Sequence, residues 1–342
     1  VIFTGDGTKH FLTASGAQSG FSLSGITVTG YLDGVRDGGG SGHTFSGNVF
    51  NGNDRGVVLF GGSSGISVTG NCFIGNATAQ GLDNDGGTNV WSGNYFDDLA
   101  SPGSYAISGS GGSVDSSPQS YDNSAAGPAT VEVLNQIDVD FNWTVPACDA
   151  ADPHPLAGYQ FTVTWDPSKL SYVGGSAGYD EGYLGTTGDG ALYTPISVDQ
   201  LAGTMTFAAA NFTAPGSGDG RLAFASFEGV GTGVSSITIS SDYRDPNNNP
   251  LVVSSSPLSV TVTDTQAPSI TSLTPNNPVG DDTYSDGSTA GPGPFVELWV
   301  DVQAADNFDL KRIMYRLDSG TAMNLVTGLS GMSDGTADTV YI

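Results

Sequence analysis

Few residues in this chain are of types that could do chemistry, and they are scattered. Histidine occurs only as His10, His43 and His154, in three distant contexts, which supports neither a histidine-rich metal centre nor a Ser-His-Asp constellation. A polysaccharide lyase or hydrolase needs a base such as Lys or Arg beside calcium-binding carboxylates, or a carboxylate pair flanking the cleaved bond. Asp54 with Arg55 and Asp83 with Asp85 come nearest, but Asn-Asp-Gly sequences make tight turns whatever the function. No catalytic residue is assigned on this basis. Calcium is the cofactor best suited to the composition: Asp242, Asp245, Asn247 and Asn249 alternate as oxygen ligands. Against that reading, Pro250 stands where a calcium loop needs Gly and no Glu follows at the twelfth position, so a plain Asp-Pro-Asn turn competes. Asp264 and Asp306 offer a second calcium position, clamping a junction further along. Asn76, Asn142 and Asn211 begin Asn-x-Ser/Thr glycosylation sequons. Cys72 and Cys148 lack metal-ligand spacing and fall in different expected domains, so core packing is expected of Cys72 rather than a disulfide.

The elements that would position these residues are strands. Gly supplies 51 of 342 residues, while Lys, Arg and Glu, which populate soluble helices, are scarce. Apolar segments alternate, as in Phe161-Thr162-Val163-Thr164-Trp165, and none reaches the length of a membrane span. Nine basic against 35 acidic residues give a formal charge of −26, which repels nucleic acid and anionic lipid alike. The chain begins without Met or a signal peptide and reads as a processed or partial product.

A repeat occupies the first third: SGNVFNGN at Ser46 to Asn53, TGNCFIGN at Thr69 to Asn76 and SGNYFDD at Ser92 to Asp98, spaced by 23 residues. Three apolar columns keep that period: Phe45, Val68 and Trp91; Phe50, Phe73 and Phe96; Leu59, Leu82 and Tyr105. Each repeat is expected to form one rung of a solenoid, with Asn48, Asn71 and Asn94 as an internal amide ladder. Trp91 and Tyr95 are of a type that stacks on sugars, but their place in the columns favours burial. Phe21 to Gly30 resembles another rung, although the 17-residue step from Gly30 to Gly47 suggests a shorter coil. These residues resemble the right-handed parallel β-helix family, particularly the repeats of pectate-lyase-like and periplasmic copper-binding-type proteins.

A low-complexity stretch from Ser108 to Ala129 reads as a linker, and about nine short alternating segments then signal an antiparallel sandwich. The run Gly158-Tyr159-Gln160-Phe161-Thr162-Val163-Thr164-Trp165-Asp166-Pro167, continued to Leu170, and the later Gly218-Asp219-Gly220-Arg221-Leu222-Ala223-Phe224-Ala225-Ser226-Phe227 resemble cohesin-like modules. That resemblance implies a jelly-roll sandwich and protein binding. From Asp264-Thr265-Gln266-Ala267-Pro268 the chain resembles bacterial immunoglobulin-like domains, although 79 residues is short for one. The domains expected are therefore a β-helix with linker at 1–127, a cohesin-like sandwich at 128–263 and an incomplete Ig-like sandwich at 264–342, all β. The function expected is a non-catalytic extracellular surface protein for adhesion or scaffolding, possibly self-assembling into a filament or surface layer through its strand-like ends. Its partners would be other copies, surface proteins or polysaccharide. The competing reading is a carbohydrate-active enzyme with the β-helix as its catalytic part.

Overall fold

A computed structural model describes the chain except residue 17 and residues 149–154, 267–268, 276–299, 306–311, 316–322, 328–337 and 342; side chains are described as far as residue 266. The first third is a solenoid with three walls of parallel strands. One wall stacks Ile2–Thr4, Thr27–Thr29, Val49–Asn51, Cys72–Ile74 and Tyr95–Phe96. A second stacks His10–Ser15, Asp33–Gly38, Arg55–Phe60 and Ala79–Asp83. The third runs from Ser22–Ser24 through Thr44–Ser46, Ser67–Thr69 and Val90–Ser92 to Val114–Asp115, where Tyr105–Ala106 adds an antiparallel end strand.

The repeat explains this geometry. In each Ser/Thr-Gly-Asn step the glycine takes a positive φ, 62° at Gly47, 63° at Gly70 and 65° at Gly93, which turns the chain from the third wall to the first without a Cβ penalty. The asparagine that follows points inward, where burial obliges it to find partners. Asn48 Nδ2 donates to Asn71 Oδ1, Asn71 Nδ2 to Asn94 Oδ1, and Asn94 Nδ2 to Asp115 Oδ2, at 3.0, 3.1 and 2.8 Å. The expected ladder is thus present, and it ends on a carboxylate that accepts only. A second ladder, from Asn53 to Asn76, runs beside it and closes on Gln80. Between them Phe50, Phe73 and Phe96 stack with ring centroids 5.3 Å apart, and Tyr105 lies 3.7 Å beyond Phe96. All three phenylalanines are buried, each contributing about 2 kcal/mol of apolar transfer free energy.

Two expected alignments differ. Leu59 faces Asp83, not Leu82, because the second wall steps by 24 residues where Ala77-Thr78 adds one residue to the corner; Tyr105 leaves that column to stack on Phe96. The early coil is not short: Leu23 pairs with Phe45 and Ile26 N–H donates to Asn48 Oδ1, so Gly25, not Gly30, is the counterpart of Gly47.

The second module is a two-sheet sandwich. One sheet orders Leu170–Tyr172, Gly220–Gly229, Gln136–Thr144, Tyr121–Ala126 and Val253–Ser256; the other orders Thr130–Glu132, Leu258–Thr263, Gly233–Arg244, Gly158–Thr164, Thr204–Ala210 and Leu192–Tyr193. The Asp166 turn carries the chain from one sheet to the other. Inward residues such as Phe141, Trp143, Phe161, Phe207 and Phe227 form a single core. Tyr121–Ala126 was expected in the linker; it pairs instead with Gln136–Thr144 and Val253–Ser256, so the sandwich begins near residue 121 rather than 128. Its inward residues, Tyr121, Asn123 and Ala125, are too small or polar to read as an apolar face. Beyond it, Glu132 accepts from Thr263 Oγ1 and Thr265 N–H, and the described strands form a three-stranded antiparallel sheet, Ser269–Pro275, Val300–Ala305 and Asp338–Tyr341, and a pair, Arg312–Tyr315 with Met323–Thr327.

Candidate functional site at the module junction and on the solenoid wall

The junction between solenoid and sandwich is built around a bond the sequence argument rejected. Cys72 lies in the same column as Val49 and Tyr95 on the first wall, and it forms a disulfide with Cys148 across 76 residues of sequence. The assignment of the two cysteines to different domains is correct; the conclusion that they stay apart is overturned, because the segment after Gln136–Thr144 folds back onto the solenoid. Ala147 N–H donates to Gln119 Oε1, whose amide nitrogen donates to Gly93 O. Val252 of the sandwich packs against the solenoid core. A cleft of about 220 Å³ follows this seam, lined in part by Tyr95, Phe96, Gln119, Tyr121 and Leu251.

The second wall carries a charged cluster. Asp33, fully buried, pairs in register with His10 on one side and Arg55 on the other. Arg55 Nε donates to Asp33 Oδ1 at 2.6 Å, His10 Nδ1 lies 2.7 Å from Asp33 Oδ2 out of line for a good hydrogen bond, and Arg36 approaches the same oxygen at 3.6 Å. Arg36 also lies over the ring of Phe60, 4.6 Å from its centroid. Asp54 stands 3.8 Å from Arg55 and accepts from Thr78.

The other candidates are placed as structural parts. Asp83, buried, accepts from the Gly86 and Asp85 N–H groups, the Ser113 hydroxyl and the Trp91 indole. Burial alone would raise its pKa, but these donors outweigh it and hold the carboxyl below its usual range. Asp85 accepts from Gly62 and Ser63 N–H, a turn contact. His43 is interior: Phe21 N–H donates to its Nδ1, and its Nε2 faces Asp37, which accepts from Ser63 Oγ. This His-Asp-Ser grouping has no exposed member. Trp91 and Tyr95 are buried, as their columns imply. His154 and Asp306 lie outside the described residues.

The proposed calcium loop closes on itself. Asp245 Oδ1 accepts from Asn247 and Asn249 N–H and its Oδ2 from Asn249 Nδ2, while Asp242 pairs with Arg244. Those oxygens are engaged by nitrogen donors, the competing Asp-Pro-Asn turn. Two sequons are also closed: Asn76 Nδ2 is bonded to Phe50 O and Gln80, and Asn211 Nδ2 to Leu184 O, both buried. Asn142 is half-buried and alternates outward between the inward Phe141 and Trp143.

Comparison with known proteins agrees with the division into modules. Residues 6–101 match the family model described as periplasmic copper-binding protein (NosD). No curated protein matches the chain. Similar solved structures include the sixth cohesin of scaffoldin B from Acetivibrio cellulolyticus, in complex with a Cel5 dockerin mutant, at 18% identity, covering 42% of this chain and 100% of that one, with a TM-score of 0.34. A non-cellulosomal cohesin from the archaeon Archaeoglobus fulgidus matches at 13% identity over 43% of this chain and 93% of its own, with a TM-score of 0.32. The cohesin module of a Clostridium perfringens family 33 glycoside hydrolase matches at 7% identity over 42% and 98%, with a TM-score of 0.34. The assignment of a sandwich rests on the strand pairing itself.

The sequence argument missed three functional features. The disulfide had one usable signal, that the chain contains two cysteines and no others. The Asp33 cluster could have been found by aligning His10, Asp33 and Arg55 at the 22-residue step, which was hidden by the choice of Gly30 as the repeat glycine. The junction cleft draws on residues far apart in sequence and had no local signal.

Proposed function

We propose that this chain is a non-catalytic scaffold or binding protein of the periplasm or cell exterior, in which the solenoid and the sandwich act as one stapled body that presents binding surfaces. The observation that carries this reading is the Cys72–Cys148 disulfide joining the two modules. Such bonds form and persist in oxidising compartments, and the periplasmic description of the family matched by the solenoid points the same way. No helix among the described residues is long and apolar enough to cross a membrane.

The copper in that family's description has no donor set to suit it here. The two cysteine sulfurs are bonded to each other, His43 is buried with Nδ1 occupied, and no cluster of three or more His, Cys, Asp or Glu that could hold a metal occurs among the described residues. Adhesion and assembly into a filament or surface layer are the finer form of the proposal. Support comes from the unpaired outer edge of Ile2–Thr4, where Val1 and Ile2 are exposed, because an open edge can take up a strand from another chain. The closing module is read as Ig-like, and cohesins, one of them solved with its dockerin, make a protein partner for the sandwich the natural expectation. A carbohydrate-active enzyme remains the competing reading, favoured by His10 against the buried Asp33. Electron microscopy of the purified chain tests the proposal: filaments or uniform short rods are expected. Release of reducing ends or unsaturated products from a glycan panel, abolished by His10→Ala, would replace it with the enzyme.

A further inference from the structure

Of the nine Lys and Arg residues in this acidic chain, three fall in the solenoid, Lys9, Arg36 and Arg55, and all three lie on or immediately beside the second wall. Arg36 and Arg55 converge on one buried carboxylate, Asp33. Asp33 engages Arg55 through Nε, which orients the two terminal amino groups of that guanidinium away from the ladder; no hydrogen bond to those groups occurs among the described residues. Arg36 is fixed by the Phe60 ring beneath it. Both arginines and His10 are a quarter to a third exposed, at 24%, 36% and 27% of their side chains, so each has one end anchored and the other in solvent. Neighbouring rungs of a sheet stand about 4.8 Å apart, so the two guanidiniums span a single oxyanion.

We infer that the Arg36–Arg55–His10 face of the second wall binds an oxyanion, presented either as a free ion or as the sulfate group of an acidic glycan. Asp33 is the positioning residue, holding the Arg55 fork outward. Because Asp33 and Asp54 balance the two arginines, attraction here is short-range and directional, N–H to oxygen, and a neutral ligand gains nothing from it. The half-exposed Phe60 adds an apolar edge on which a sugar ring can rest. The site is independent of the sandwich and of the disulfide, so its test leaves the scaffold proposal untouched.

Isothermal titration of the full chain with inorganic sulfate, a sulfated dextran oligosaccharide and the same oligosaccharide unsulfated tests it. Binding of both sulfated probes and not of the neutral one is expected. Arg36→Gln should weaken binding about tenfold, since it removes one charge-assisted contact. Arg55→Lys keeps the charge facing Asp33 but removes the fork, and should weaken binding by a similar factor in a chain that still folds. Equal affinity per sulfate group for the ion and the oligosaccharide identifies a free-ion site; much tighter binding of the oligosaccharide identifies a glycan site. No binding of either sulfated probe, equal binding of the unsulfated oligosaccharide, or binding unchanged in both variants would overturn the inference.

Discussion

Replacing Asn71 tests whether the amide ladder is a directional, stabilising element or an incidental result of the repeat. Asn71 Nδ2 donates to Phe45 O, Thr69 O and Asn94 Oδ1, and its Oδ1 accepts from both the backbone and side-chain nitrogens of Asn48. Asn71→Ala leaves the Asn48 donors and the Phe45 carbonyl buried and short of partners. At about 1 kcal/mol per lost bond, with about 1–3 kcal/mol for an orphaned buried group, the cost is about 4 kcal/mol. Asn71→Asp is expected to be worse at neutral pH, because an anion would then face Phe45 O and Asn94 Oδ1 where two donated bonds stood. The introduced carboxyl is disfavoured in its charged form, so its folded pKa is raised and the deficit should shrink as pH falls and the protonated acid can donate again. Asn51→Ala is the control: the same residue type, half-exposed on the first wall, expected within about 0.5 kcal/mol of the parent. Urea unfolding followed by circular dichroism measures all three. Equal stabilities for Asn71→Ala and Asn51→Ala, or an Asn71→Asp variant as stable as the parent, would refute the reasoning.

Other outcomes follow from the same contacts. The Cys72→Ala/Cys148→Ala double variant should lose about 4 kcal/mol, the loop-closure entropy of a cross-link spanning some 76 residues, in a denaturant titration. Because donors hold the Asp83 carboxyl below its ordinary value, its contribution to stability is complete above the unfolded pKa of about 4 and is lost as pH falls through the lower folded value. Asp83→Asn should therefore flatten that acid limb in a pH series of melting curves. Saturating calcium or chelator should leave the melting midpoint unchanged if the Asp245 turn is as described, and a shift would revive a calcium site, with Asp264 and Asp306 next to be tested. If the native protein carries an N-linked glycan, peptide mass spectrometry should find it at Asn142 and not at Asn76 or Asn211.

Repetition made the solenoid legible. Asn48, Asn71 and Asn94 recur with glycines before them and phenylalanines after them, and that combination has one physical solution, a turn, a ladder and a stack. The sandwich was legible where large apolar residues alternate, as at Phe161 and Val163, and illegible where the inward positions are Asn123 and Ala125. The second ladder was in view as Asn53 and Asn76 but lacks a third asparagine, since Leu99 stands at the next step and Gln80 closes the run instead. What could not be read was whatever depends on two distant segments meeting: Cys72 and Cys148 are each unremarkable in their own strand or loop, and only the return of the sandwich onto the solenoid makes them neighbours. His10, Asp33 and Arg55 were separately visible, but a one-residue difference in step length between walls hid their common column.

The central claim is that the solenoid and the sandwich form one covalently stapled body. Peptide mapping of the natively secreted protein, alkylated and digested without reductant, tests it directly. One linked peptide pair containing Cys72 and Cys148 is expected; two alkylated free thiols in folded protein would contradict the account.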